Sequence, residues 1–257
     1  MRGLVVIPTY NEADNIDQII IEILKYHFID ILIVDDNSTD GTADKVKRWM
    51  RKTDRVNLIE REGKLGLGTA YVTGFKWGLQ RDYNYFFEID ADLSHDPKEI
   101  PNFIKKCREE KCDIVIGSRY LNGTISVVGW DFRRLLISKF GNWYATTILG
   151  TKQLTDITSG YRCYKRTVLE NINLDDIKSN GYSFQIEMAY KALQLGFKIC
   201  EIPIIFYERS NGVSKMSKKI AWEAAIMVWK LKLKSVFSKK IQIQSNKQEV
   251  TRPIFKA

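Results

Sequence analysis

Two carboxylates one residue apart follow a short apolar run in YFFEIDADLSHDPKEIP, residues 85–101. Asp90 and Asp92 stand where a buried strand is expected to end. Two such charges side by side are unfavourable unless a cation is bound. Both can present oxygens to one Mg²⁺ or Mn²⁺ ion, which often completes its coordination with substrate phosphates. The spacing therefore predicts a metal-bound diphosphate here. The structural alternative is that the aspartates cap the helix near Asp96.

Polar side chains also follow other apolar runs that are predicted to be strands. In an open parallel sheet, ligands bind beyond the carboxyl ends of the strands. We therefore expect these side chains to meet in one crevice. The set comprises Pro8, Tyr10 and Glu12 after the first strand, Asp35 and Asp36 after the second, and Arg119 after a later one.

Strand-like and helix-like segments alternate along the first 120 residues. Strands are predicted over 4–9, 31–36, 56–61, 85–92 and 113–120, and helices over 11–26, 42–52, 66–80 and 96–110. Apolar strands alternating with helices indicate an α/β fold whose mostly parallel sheet has helices on both faces. Further along, helices are predicted over 133–149, 183–196 and 217–240, and strands over 159–166 and 197–209.

The distribution of charge divides the chain more sharply than any linker does. Residues 209–257 hold 12 Lys/Arg and 2 Asp/Glu, whereas residues 1–208 hold 28 and 29. We expect one catalytic domain, 1–215, followed by a basic amphipathic helix and tail, 216–257. Such asymmetry favours an anionic surface as partner, either nucleic acid or acidic lipid. Nucleic acid is disfavoured because the aromatic residues of 217–240 form an apolar stripe rather than stacking platforms.

The predicted helix over 217–240 has the composition of a membrane-surface helix. A cationic amphipathic helix with tryptophans can lie in a membrane interface, although it can equally pack on the domain with its lysines in water. Its apolar stripe comprises Trp222, Ile226, Trp229, Leu233 and Val236. The apolar loop 121–131 is expected to bend over a lipid. No run of about 20 apolar residues is present. Membrane contact would therefore be peripheral or made through a membrane-protein partner.

Other site chemistries find little support in the sequence. The four cysteines form no CxxC pair and the chain has two histidines, which disfavours zinc and predicts reduced thiols in a cytoplasmic protein. His27 and His95 are interpreted as a helix-surface residue and a loop residue. The glycines of residues 62–70 spell GxxGxG and not a dinucleotide fingerprint. A tight turn and a close approach to a ligand both remain open for them.

Several stretches together resemble one enzyme family, the polyprenol (dolichol) phosphate mannosyltransferases. They are VVIPTYNEADNI, ILIVDDNSTDGT, EGKLGLGTAYVTGFKWGL, IDADLSHDP, VIGSRY, SGYRCYKR and GYSFQIEM. The resemblance covers roughly residues 3–215. It implies an inverting, metal-dependent family-2 glycosyltransferase with the GT-A fold. Such an enzyme transfers mannose from GDP-mannose to a polyprenyl phosphate, peripherally on the cytoplasmic face of a membrane. Relatives that use glucose make UDP-glucose an alternative donor.

The resemblance also implies roles for individual residues. Pro8, Tyr10, Glu12 and Asp36 would contact the nucleotide, and Asp90, Ala91 and Asp92 the diphosphate and Mg²⁺ or Mn²⁺. Ser94 stands where some relatives have a glutamine that also contacts the metal. Arg119, Arg134, Ser138 and Arg209 would bind the acceptor phosphate or the diphosphate, with Arg133 as an alternative to Arg134. Gln185 and Glu187 would contact the sugar or supply a base, or else cap or support the helix. Asp92 and Arg119 are the residues expected to act in catalysis.

The acceptor decides whether a catalytic base is needed. A phosphate monoester is already ionised at neutral pH, so it needs cations nearby rather than a strong base. The supply of arginines without an obvious base favours a phosphate acceptor. A protein or polysaccharide hydroxyl is the alternative acceptor, and it would require a carboxylate base such as Glu187. A phosphatase is disfavoured because its nucleophilic aspartate would follow the first strand, which here ends in PTYNE.

Overall fold

A seven-stranded sheet between two layers of helices forms the body of the protein in the computed structural model, which describes residues 1–208 and 224–235. The strands are β1 (Gly3–Thr9), β2 (Ile29–Asp35), β3 (Val56–Glu60), β4 (Tyr85–Glu88), β5 (Ile114–Ser118), β6 (Val127–Val128), β7 (Arg162–Lys165), β8 (Ile199–Pro203) and β9 (Phe206–Tyr207). The helices are α1 (Ile16–Leu24), α2 (Thr42–Met50), α3 (Leu67–Leu79), α4 (Ile100–Glu109), α5 (Phe132–Leu149), α6 (Arg166–Asn171), α7 (Tyr182–Gln194) and α8 (224–235).

The strand order of the large sheet is β3-β2-β1-β4-β7-β5-β8. All neighbours are parallel except β7, which runs antiparallel to both β4 and β5. The prediction of a mostly parallel sheet with helices on both faces is therefore confirmed. Because β7 runs the other way, the loop that enters it lies at the edge where β4 and β5 end.

Each face of the sheet carries its own hydrophobic core. Helices α3, α5, α6, α7 and α8 pack on one face, and α1, α2 and α4 pack on the other. The β-branched residues of β1 and β2 fit between these layers. In α3, a Cβ at Gly74 would lie 2.4 Å from Val6 Cγ1. Glycine at this position therefore lets α3 approach the sheet closely.

The predicted single strand over 197–209 is wrong, because the chain divides into β8 and β9. β8 pairs with β5 in the large sheet, whereas β9 pairs with β6 in a separate two-stranded sheet. Phe206 N donates to Ser126 O at 2.9 Å. Through this hydrogen bond and the β6–β9 pairing, the loop 121–131 lies along one side of β9. Of the predicted helix 217–240, residues 224–235 are helical, and the remainder lies outside the described residues. The proposed boundary at 215/216 lies outside them as well.

Two of the four cysteines are bonded to each other, contrary to the prediction of reduced thiols. Cys112 and Cys200 form a disulfide with a Cα–Cα distance of 5.9 Å, and Cys107 and Cys163 are free and buried. The bonded pair is 88 residues apart in sequence. Parallel pairing of β5 with β8 brings them together, and the sequence spacing does not reveal that pairing.

Candidate active site

One cleft of about 390 Å³ lies beyond the carboxyl ends of β1, β2, β4 and β5. The cleft therefore lies where ligands bind in an open parallel sheet, beyond the carboxyl ends of the strands. Ten of the predicted site residues line this cleft: Pro8, Tyr10, Glu12, Asp36, Asp90, Ala91, Asp92, Arg119, Arg134 and Gln185. They come from both halves of the sheet and from α5 and α7. The cleft is large enough for a nucleotide sugar.

The two aspartates after β4 lie on a tight turn at the floor of the cleft. Asp92 Oδ1 accepts a hydrogen bond from Ser94 N at 3.0 Å, and Leu93 between them has φ 61°. Left-handed backbone at a branched residue is strained, and such strain is typical of ligand-binding turns. Asp96, and not this pair, caps the following helical turn, because its Oδ1 accepts from Lys98 N at 2.9 Å. The capping interpretation of Asp90 and Asp92 is therefore wrong.

The oxygen atoms of this turn suit a hard divalent cation. Asp90 and Asp92 offer carboxylates, and Ser94 offers a hydroxyl. Ser94 Oγ is buried and makes no hydrogen bond within residues 1–208 and 224–235. A buried hydroxyl without a partner is costly unless a ligand satisfies it. The donor set therefore fits Mg²⁺ or Mn²⁺, with most of the coordination shell left for phosphate oxygens and water.

His95 is part of the cleft wall and not an ordinary loop residue. Its Nδ1 accepts from Asp90 N at 3.3 Å, and its ring stacks on Tyr161 with 5.1 Å between centroids. The ring is 2% exposed. Because Nδ1 acts as an acceptor, this geometry assigns the proton of the neutral imidazole to Nε2. His95 thus fixes the backbone that carries the first aspartate.

At the end of the cleft beyond β2, Asp36 holds the glycine-rich loop, residues 62–70, through hydrogen bonds. Its Oδ1 accepts from Arg61 Nε at 2.6 Å, and its Oδ2 accepts from Gly66 N at 3.4 Å. Gly66 has φ 101°, which favours glycine, and it lines the cleft. The loop is therefore both a tight turn and a ligand-facing segment. Lys64 Nζ lies 4.1 Å from the ring centroid of Tyr10, so a cation and an aromatic face stand together at this end.

The carboxylates next to this end serve local structure as well. Glu12 lines the cleft, and its Oε2 accepts from Asn15 Nδ2 at 2.9 Å. Asp35 is buried, and its Oδ1 accepts from Thr9 Oγ1 and from Ser38 Oγ, each at 2.6 Å. Asp35 therefore holds the turn after β2, while Asp36 is the member of the pair that reaches the cleft.

Arg119 faces the cleft as half of a buried ion pair. Its Nε and Nη2 donate to the two carboxylate oxygens of Asp156, both at 2.7 Å, and Nη2 also donates to Thr158 Oγ1 at 3.0 Å. Burial disfavours the charged form, but the Asp156 carboxylate outweighs it and raises the pKa of Arg119 above its ordinary value. The guanidinium is thus permanently charged and held in one orientation.

A second arginine stands opposite, at the start of α5. Arg134 Nη1 donates to Glu208 Oε1 at 2.5 Å, and its guanidinium lies 4.3 Å from the ring centroid of Trp130. All three side chains line the cleft. Arg133 is exposed and does not line it, so the structure favours Arg134 at this place.

Of the other predicted site residues, those that the structure describes do not line the cleft. Ser138 Oγ accepts from the hydroxyl of Tyr120 at 2.7 Å, and Ser138 lies behind the cleft wall. Arg209 lies outside the described residues. Glu187 Oε2 accepts from Ser179 N at 3.3 Å, and its Oε1 pairs with Lys191. Glu187 therefore supports α7 and does not reach the cleft.

A buried carboxylate at the end of β4 contacts Gln185, which lines the cleft. Gln185 Nε2 donates to Glu88 Oε2 at 2.6 Å, and both side chains are buried. Burial raises the pKa of Glu88 to about 7, against the opposing effects of the charge of Arg162 and the hydrogen bond from Gln185. Sequence reasoning gave Glu88 no role, because it lies within an apolar run that continues to Ile89.

Other residues of the cleft also escaped the sequence argument. They include Lys64, Trp130, Thr158, Tyr182 and Glu208, and Asp156 was missed as the buried partner of Arg119. Asp156 and Thr158 lie in the loop that enters the antiparallel strand β7, and Glu208 follows β9. The strand-end rule did not apply to either segment. The acidic residue in TDITSGYR, close to a family-like stretch, was the one available signal.

Comparison with solved structures defines the class of the fold. Glucosyl-3-phosphoglycerate synthase from Mycobacterium tuberculosis, solved with Mn²⁺, UDP-Glc and phosphoglyceric acid, superposes with a TM-score of 0.69 at 16% identity, covering 90% of this chain and 79% of that chain. Mannosyltransferase PcManGT from Pyrobaculum calidifontis, solved with GDP-Man and Mn²⁺, superposes with a TM-score of 0.56 at 16% identity, covering 93% and 75%. The fold is therefore the α/β GT-A type of glycosyltransferases.

Comparison of sequences gives the family. The profile described as Glycosyl transferase family 2 matches residues 4–172. Polyprenol monophosphomannose synthase of Mycolicibacterium smegmatis is 44% identical over 88% of this chain and 85% of its own length. Undecaprenyl-phosphate mannosyltransferase of Micrococcus luteus is 42% identical over 89% and 93%. The chain belongs to glycosyl transferase family 2.

Proposed function

We propose that this protein transfers mannose from a nucleotide sugar to the phosphate of a polyprenol. One observation carries the proposal: a cleft that joins an aspartate pair to two arginines, in a chain 44% identical to a polyprenol monophosphomannose synthase. GDP-mannose is the donor and Mg²⁺ or Mn²⁺ the metal. In support, a structural relative was solved with GDP-Man and Mn²⁺, and the turn at Asp90 and Asp92 offers the oxygen ligands.

The donor lies along the cleft from β2 to β4. Tyr10, Lys64 and Asp36 stand at the nucleotide end, and Asp90 and Asp92 stand where the diphosphate meets the metal. Asp90 and Asp92 would hold the Mg²⁺ or Mn²⁺ ion, which would supply neutralisation of the diphosphate charge. The chain's own part is to hold the two aspartates at fixed positions. It does so through the backbone bonds to His95 and Ser94 described above.

The acceptor phosphate approaches from the side of Arg119 and Arg134. Its oxygen attacks the anomeric carbon of the sugar, the bond from that carbon to the diphosphate oxygen breaks, and the nucleoside diphosphate leaves with the electron pair. Attack from the far side inverts the configuration. The phosphate brings no proton that must be removed, so the arginines assist by bringing one anion up to another. Glu208 forms an ion pair with Arg134, and the acceptor phosphate takes the place of Glu208 when it binds.

A membrane surface, on its cytoplasmic face, is the proposed source of the lipid acceptor. No helix within residues 1–208 and 224–235 is both long and apolar enough to cross a bilayer. The outer faces of α5 and α8 nevertheless expose large apolar side chains. This apolar face comprises Phe132, Leu136, Ile137, Phe140, Trp143, Ile226, Trp229 and Leu233.

The two helices of the apolar face are in direct contact and adjoin the cleft. Tyr144 on α5 donates to Ala225 O on α8 at 3.3 Å, and α5 begins beside Trp130 and Arg134 of the cleft wall. Tryptophans with neighbouring lysines on a surface helix are typical of helices that lie in a membrane interface. α8 therefore packs on the domain through one face and presents the other to lipid.

The decisive test is transfer itself. Purified protein is incubated with Mn²⁺ or Mg²⁺, a short polyprenyl phosphate, and either GDP-mannose or UDP-glucose. We expect lipid-linked mannose from GDP-mannose, and a rate at least 100-fold lower for Asp92→Asn. The matched control is Asp54→Asn on the surface, which should retain full activity. Absence of product with every donor, or equal use of a polyprenol without phosphate, would contradict the proposal.

A further inference from the structure

Glu88 and Gln185 form a buried polar pair that joins the end of β4 to α7. Glu88 ends β4 and is fully buried, whereas Gln185 is 2% exposed and lines the cleft. Their side chains meet at 2.6 Å, although they stand 97 residues apart in sequence. A contact this short between a carboxylate and an amide is a charge-assisted hydrogen bond.

The backbone of Gln185 is held as firmly as its side chain. Arg162, fully buried on β7, donates from Nη1 to Gln185 O at 2.8 Å. The same guanidinium donates to Ser159 O at 2.9 Å and to Ile157 O at 2.6 Å. Glu88 lies directly opposite Arg162 in the β4–β7 pairing. The backbone of Gln185 is thus fixed, and the orientation of its side-chain amide remains to be set.

The carboxylate determines that orientation. An ionised carboxylate only accepts hydrogen bonds, whereas an amide has one end that donates and one that accepts. Gln185 must therefore turn its Nε2 towards Glu88. Its Oε1 is buried and makes no hydrogen bond within the part of the chain that the structure describes, which leaves an acceptor without a donor on a residue that lines the cleft.

We propose that Glu88 is a positioning residue that makes Gln185 a hydrogen-bond acceptor for a hydroxyl group of the donor sugar. This inference rests on the proposed function, because the hydroxyl belongs to the sugar of the nucleotide donor. A buried pair kept for stability alone is a poor alternative, since apolar residues of similar volume serve stability as well or better. The direction of the hydrogen bond between Gln185 and Glu88 affects function only if a ligand contacts Gln185.

Exchange of the two residues tests the polarity directly. In Glu88→Gln, both amides can rotate and Gln185 loses its fixed orientation. In Gln185→Glu, two carboxylates meet. In the double variant E88Q/Q185E, the amide stands on β4 and donates to the carboxylate on α7, whose second oxygen is again left as an acceptor without a donor. Kinetics are measured with donor and acceptor varied separately.

We expect each single variant to lose roughly tenfold or more in kcat/KM for the nucleotide sugar, with little change in KM for the polyprenyl phosphate. The double variant should recover at least half of that loss on a logarithmic scale. Glu109→Gln, at an exposed position of α4 away from the cleft, is the matched control. Thermal unfolding of each variant separates a loss of fold from a loss of orientation.

Deoxy analogues of the donor sugar identify the hydroxyl. For one analogue, E88Q should cost less than about threefold, because the group that Gln185 accepts from is already missing. Unchanged donor kinetics in E88Q, or a double variant no better than the single ones, would overturn the role of Glu88. Inactivity of the wild-type protein with every nucleotide sugar would instead overturn the proposed function, so the two failures are distinct.

Discussion

Removal of the charge from Asp156 should destabilise the protein strongly, although Asp156 is not a predicted metal ligand. Asp156 is fully buried and Arg119 is 4% exposed. Three donors of Arg119 reach the carboxylate, namely the backbone N at 3.0 Å and Nε and Nη2 at 2.7 Å. In Asp156→Asn the guanidinium keeps its charge, loses its counter-ion and meets an amide NH₂ group that cannot accept.

The size of the effect follows from this geometry. Breaking a buried ion pair by removing one partner costs about 3–5 kcal/mol. The remaining neighbours of Arg119 are of two kinds, the hydroxyl Oγ1 of Thr158 and the faces of Trp130 at 5.3 Å, Tyr120 at 5.4 Å and Phe206 at 5.7 Å. Both are weak substitutes for a carboxylate, so we expect the cost to fall within that range. For a chain of this size the melting temperature should fall by roughly 10 °C.

Urea denaturation of the metal-free protein measures the cost, and a double variant gives the control. In R119L/D156L no charge is left unpaired, so stability should return to within about 1.5 kcal/mol of the wild type. This stable variant should nonetheless be inactive, because the cleft has lost a cation. A cost below about 1 kcal/mol for D156N, or a double variant as unstable as the single one, would refute the reasoning.

Three further predictions concern stability and the membrane. Folding raises the pKa of Glu88 from 4.5 to about 7, so the folded state binds a proton at Glu88 more tightly than the unfolded state does. The contribution of Glu88 to the free energy of unfolding is therefore complete below pH 4.5 and is lost as the pH rises through 7. With EDTA present, urea denaturation at pH 5 and pH 8 should show wild type losing about 3 kcal/mol relative to E88Q, whereas a control E109Q should follow wild type. Cys200→Ser should lower the free energy of unfolding by about 4 kcal/mol, because the disulfide joins residues 88 apart in sequence; in dithiothreitol the difference from wild type should vanish, and a difference that persists would contradict this account. Trp143→Ser on the apolar face should weaken sedimentation with anionic vesicles about tenfold, and equal weakening by Ile21→Ser on the opposite layer would contradict a specific face.

Local patterns in the sequence were sufficient for the strands and helices of the first 120 residues and for half of the cleft. Apolar runs of strand length alternate with helical periods, and this alternation indicates a covered parallel sheet. In such a sheet the ends of β1, β2, β4 and β5 must lie at one edge, so the strand pattern alone places Tyr10, Asp36, Asp90 and Arg119 together. The paired aspartates predicted a hard metal ion because few other partners neutralise two carboxylates.

Only the tertiary structure brought the second half of the cleft into place. β7 enters between β4 and β5 in the antiparallel direction, and no local period specifies that insertion. Its direction brings Asp156 to Arg119 across 37 residues and Gln185 to Glu88 across 97. The pairing of β5 with β8 likewise joins Cys112 to Cys200. The sequence alone determined which segments are strands and which strand ends carry polar groups, because neighbouring residues encode both. Which buried charges meet was decided by strand order, because only packing of the whole sheet makes distant residues neighbours.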